Sequence, residues 1–75
     1  MTMLAKVRII GLDLYQVEAF VMTDNGPKWM ALGRTKNEDL AMELWEYVKY
    51  YASKRWVARK IKNFEAAQRA AHDND

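Results

Sequence analysis

At 75 residues the chain has room for one small hydrophobic core and not for two independent ones. Apolar residues make up 51% of it, including three Trp, four Tyr and two Phe, which excludes intrinsic disorder; the absence of Cys excludes a disulfide framework or a thiolate metal cage. The net charge is only +2, yet it is unevenly spread: residues 1–46 carry five Lys/Arg against seven Asp/Glu, whereas residues 47–75 carry seven against three.

Residues 3–12 alternate Ala5, Val7 and Ile9 with Lys6 and Arg8 and are rich in β-branched side chains, which predicts a first strand. A tight connection at 11–14 leads into LYQVEAFVMT, where Tyr15, Val17, Ala19 and Val21 alternate with Gln16, Glu18, Phe20 and Met22 as a second strand. Asp24-Asn25-Gly26-Pro27 is a turn signal, because Asn-Gly readily takes the positive φ of a hairpin, and a third strand is expected over 28–34. The predicted fold class is therefore α+β, with a three-stranded antiparallel meander over 3–34 that needs a cover on one face.

Thr35-Lys36-Asn37-Glu38 fits a capping box and places a helix start there, with a single long helix expected over 36–71 and a frayed tail over 72–75. Unbroken, that helix would be about 54 Å long against a globule about 30 Å across, so only part of it can cover the sheet. Leu40, Leu44, Tyr47, Val48 and Tyr51, flanked by Ala41, Trp45 and Ala52, form the face expected on the sheet. Beyond Ser53 the apolar stripe of Val57, Ile61 and Phe64 points roughly half a turn away. Because 52–55 contain no breaker, the helix is expected to continue and offer Val57, Ile61 and Phe64 to a partner or to a second copy in a homodimer; a kink or break near Ser53 to Trp56 is the alternative.

Catalytic chemistry has little to stand on. The chain holds one Ser, predicted mid-helix, and one His, three residues from its end. The carboxylates Glu38, Asp39, Glu43 and Glu46 fall on a predicted solvated face, and His72-Asp73-Asn74-Asp75 reads as a tail before it reads as a metal site. The three glycines are too dispersed to cradle a phosphate. No enzyme, no metal and no cofactor is expected. No apolar run exceeds four residues, far short of the roughly 20 that span a bilayer, and the N-terminus lacks a signal-peptide apolar region, so the expected setting is the cytoplasm with no membrane partner.

Binding remains. From Tyr47 to Phe64 there is no acid, while Lys49, Lys54, Arg55, Arg59, Lys60 and Lys62 all fall in that window. Arg55, Arg59, Lys62 and Arg69 align along one helix edge, and with Trp56 and Lys49 they form the set expected to meet a partner or nucleic acid. The order strand–strand–strand–helix is shared by nucleic-acid-binding modules such as the AP2 domain and the end of a double-stranded RNA-binding domain. Leu32-Gly33-Arg34-Thr35 with Glu38-Asp39-Leu40-Ala41 resembles the strand-to-helix junction of AP2-like domains, although the expected outer face of the sheet carries only Lys6, Arg8 and Lys28, with Glu18 against them, in place of their rows of Arg and Trp. That resemblance implies direct DNA or RNA binding through a βββα module, kept here as the alternative.

The leading expectation is a small non-enzymatic regulator or inhibitor that occupies a surface of a larger protein or nucleoprotein machine, of the kind phages and other mobile elements encode. Its support is the surplus of large apolar side chains, Phe20, Met22, Trp29, Met30 and Trp56, over what so short a chain can hide.

Overall fold

The computed structural model describes residues 3–73. Strands β1 (Ala5–Gly11), β2 (Leu14–Thr23) and β3 (Gly26–Thr35) form an antiparallel sheet in the order β1-β2-β3, and helices α1 (Glu38–Tyr50) and α2 (Lys54–Asp73) follow. The α+β class and the meander are as expected. At the β2–β3 turn it is Gly26, with φ of 97°, that takes the left-handed conformation, and the Thr23 hydroxyl donates to its carbonyl at 2.6 Å. A register shift against Val17 and Glu18 gives β3 one extra residue, Leu32, whose side chain is buried. The same register sets Lys28 opposite Val21, so it shares the helix-side face and not the outer face predicted for it. Ile9 shares that face too, but it stands on the edge strand in the last paired row before the bulge and is exposed.

The start of α1 is two residues later than the Thr35 capping box predicts. Asn37 is the cap, its side-chain oxygen accepting from the amides of Asp39 and Leu40 at 2.9 and 3.3 Å, while Thr35 accepts from the Asn37 amide. Gly33 on β3 lets α1 come close, since a Cβ there would lie 3.1 Å from Leu44 Cδ2. The face α1 packs on the core is Ala41, Leu44, Trp45 and Val48, continued by Ala52 just past its end, a turn of the predicted stripe that leaves Leu40, Tyr47 and Tyr51 exposed. Two features hold that rotation: small Ala41 sits against the sheet, and the Trp45 indole N–H donates to the Ala5 carbonyl at 3.0 Å.

Continuity of the helix is overturned. α1 stops at Tyr50, and the amides of Tyr51 and Ala52 both donate to the Tyr47 carbonyl. Ser53 then caps α2, its hydroxyl accepting from the Trp56 amide at 3.0 Å and its carbonyl from Val57. A serine read as helix interior is the second helix's N-cap. The chain turns there and α2 packs back on β3, so Val57 and Ile61 join the core with Val17, Ala19, Leu32, Ala41 and Val48. The helix runs through Asp73, two residues into the predicted tail; residues 74–75 lie outside the described part. Among the described residues no helix is long and apolar enough to cross a membrane.

Tyr15 ties β2 to the first turn of α1. Burial, the charges of Glu38 and Asp13, and a hydrogen bond with Glu38 push its phenol above the ordinary tyrosine range. The folded state therefore holds this proton more firmly than the unfolded chain, and the stability so gained is complete below about pH 10 and lost as pH climbs past it. Thermal melts at mildly and strongly alkaline pH should show a decline that Tyr15→Phe reduces; an identical decline in the variant would show that Tyr15 is not its source.

Candidate functional site

The residues singled out on α2 part company in the structure. Val57 is fully buried and Ile61 nearly so, and Phe64 is half-buried with the Arg34 guanidinium 5.3 Å from its ring centre. The expected partner or homodimer stripe has thus lost two of its three members to the chain's own core. Trp56 is also structural, set edge-on against Tyr47 at 4.8 Å and flanked by Lys60. Lys49 belongs to α1, where its ammonium lies 4.7 Å from the Trp45 ring centre and 5.4 Å from that of Tyr50.

Arg55, Arg59, Lys62 and Arg69 are all exposed on α2. Their spacing keeps them on the side opposite Val57, Ile61 and Phe64. Among the described side chains the only ion pairs are those of Lys6 and Arg8 with Glu18, so Arg55, Arg59 and Lys62 are free to meet an external anion.

What the periodicity did not anticipate is where the surplus apolar side chains gather. The β2–β3 turn, the start of β1 and the α1–α2 junction meet at one end of the molecule around an open groove of about 1530 Å³. Leu4, Phe20, Met22, Tyr50 and Tyr51 line it and are all exposed, Met22 to 78% and Tyr51 to 77%. Lys54, Arg59 and Lys62 supply its α2 wall against Asp24 and Glu65. Tyr47, Tyr50 and Tyr51 continue the aromatic surface along α1, with ring centres 6.3 to 6.4 Å apart in successive pairs through Tyr51. The turn at Ser53 makes the groove: it swings α2 away from the line of α1 and leaves Tyr50 and Tyr51 uncovered at the bend.

Such a surface can grip an apolar segment and attract negative charge beside it. Among the described residues no group of three or more His, Asp or Glu is placed to hold a metal ion. Comparison with protein-family models, curated proteins and solved structures finds no match.

Proposed function

We propose that this protein is a non-enzymatic binding module that occupies a surface of a larger protein or nucleoprotein machine, gripping an amphipathic, acid-flanked segment of its partner in the groove at the helix junction. The observation that carries this reading is the convergence of Leu4, Met22, Tyr50 and Tyr51, all exposed, on a single groove. Monomeric proteins seldom leave a contiguous apolar patch bare unless something docks there, and a Tyr- and Met-rich lining combines anchoring area with adaptability. The unpaired cations Arg59 and Lys62 on the wall favour an acidic flank and speed its encounter. A chain without Cys suits the reducing cytoplasm, where we place this activity.

A photo-crosslinking side chain at Tyr51 should capture a protein from nuclease-treated lysate of the native host, whereas one at Leu12, barer still and at the opposite end of the sheet, should not. With the captured partner purified, Met22→Ser/Tyr51→Ser should abolish binding, and Arg59→Glu/Lys62→Glu should mainly slow association, more so at low salt. Equal capture from both positions, or capture that nuclease removes, would refute the groove.

A further inference from the structure

The sheet has a second face, opposite the one α1 packs on, and α2 meets it at the β3 edge, where Phe64 lies beside Arg34. The molecule is only 17 Å through its thinnest dimension, α1 lies across the other side, and cross-strand register assigns the outer face residue by residue. Arg8, Gln16 and Arg34 form one row; Lys6, Glu18 and Ala31 the next; Phe20 and Trp29 follow, with Leu4 beside Phe20. The face therefore grades from cationic at one end to aromatic at the other.

On this face Glu18 is only 3% exposed. Its neighbours bury it. The Arg8 guanidinium donates to Glu18 Oε2 at 3.1 Å, the Gln16 amide donates to the same oxygen at 2.6 Å, and Arg34 Nε donates to Gln16 Oε1 at 2.7 Å. This chain of bonds holds two guanidinium groups in place, both on exposed residues and each with more N–H donors than these bonds use, Arg34 lying also against the Phe64 ring. Lys6 and Arg8 flank the Glu18 carboxylate and Arg34 is linked to it through Gln16, so three cations stand against one carboxylate on this face and leave it positive, with guanidinium forks that suit phosphate oxygens. Two rows away Phe20 and Trp29 pair at 5.2 Å, and the Lys6 ammonium rests 4.2 Å from the Trp29 ring centre. That spot is one a base can take, freeing Lys6 for a phosphate.

We propose that this face is a binding surface for single-stranded nucleic acid, with Trp29 stacking a base and Arg8, Arg34 and Lys6 holding the phosphates beside it. The aromatic row and the Arg8–Arg34 row lie about 13 Å apart along the strands, room for a short run of nucleotides. A duplex keeps its bases stacked on one another and cannot lay one on Trp29, whereas the unstacked bases of a single strand can. Leu4 and Phe20 border both this surface and the groove, whereas Trp29 and the Arg8–Arg34 row do not line the groove and Tyr51 is not on this face, so substitutions at Trp29 and at Tyr51 distinguish the two readings.

Fluorescence anisotropy with labelled oligo-thymidylate, and with a duplex of equal length, tests it at low and raised salt. Wild type should prefer the single strand, with a slope of log K on log salt of about −2 for three phosphate contacts. Trp29→Leu should weaken binding about tenfold or more, with Trp29→Tyr restoring part of it, and Arg8→Gln should flatten the slope by about 0.7. Tyr51→Ser should bind the oligonucleotide as wild type does. Absence of binding at low salt, a preference for the duplex, or affinity that survives Trp29→Leu and disappears in Arg55→Glu/Arg59→Glu/Lys62→Glu would each overturn the assignment.

Discussion

Val57→Asp should prevent folding, while Ala58→Asp, one residue on, should leave the protein intact. Val57 has no exposed surface and lies in the first turn of α2, in the core cluster with Leu32, Val48 and Ile61. A carboxylate there would be stripped of water with no cation offered in return, a cost of several kcal/mol even if it protonates. A domain this short has about 4–11 kcal/mol of total stability to lose. Ala58 faces solvent on the same helical turn, so its substitution changes charge and helix propensity and little else. Ile61→Ala should fall between the two at about 2–4 kcal/mol, and Phe64→Ala, half-covered, should cost less. Circular dichroism and urea unfolding separate these outcomes. A Val57→Asp chain that melts cooperatively near the wild-type midpoint would mean that α2 does not pack on its own sheet.

That result bears on how far the fold can be read from the residues alone. Alternation in β2 and the Asp24-Asn25-Gly26 turn were legible because both signals are local. So was the half-turn rotation between the apolar stripes of the two helical segments, but its cause was not. Ser53 is a good N-cap and equally a tolerable interior residue, and nothing within its own few residues distinguishes the two. Once the helix breaks there, Val57 and Ile61 point inward without any partner, and the apolar residues left over are Tyr47, Tyr50 and Tyr51. Of these, Tyr47 and Tyr51 belong to the stripe expected on the sheet, because a stripe of large side chains is the usual buried face. Here the buried face is narrower and smaller, built on Ala41 and Val48 and on the close approach Gly33 permits, and such an approach depends on a strand far away in sequence.

The outer face was legible in part. Alternation sets Lys6 and Arg8 there with Glu18 against them, which ordinarily means solvated. Only the pairing of β2 with β3 brings Arg34 over Gln16 and turns Lys28 to the other side.

The Glu18 network yields a result in which stability and binding move separately. Glu18→Ala should cost about 1–3 kcal/mol, because the Gln16 amide, 8% exposed, loses its acceptor and keeps no route to water. Arg8 and Lys6 contribute little to that loss, since their side chains are 56% and 40% exposed and can turn to solvent. Adding Gln16→Leu to Glu18→Ala should recover part of the cost by removing the stranded amide, a coupling that a double-mutant cycle measures directly. Glu18→Gln retains an acceptor oxygen and removes the charge, so it should unfold close to wild type while the face gains positive potential and holds oligo-thymidylate more tightly. If Glu18→Gln were as unstable as Glu18→Ala, the carboxylate charge and not the hydrogen bond to Gln16 would be what holds the network. If it were stable and bound the oligonucleotide no better than wild type, the phosphates would have to lie elsewhere than beside Glu18.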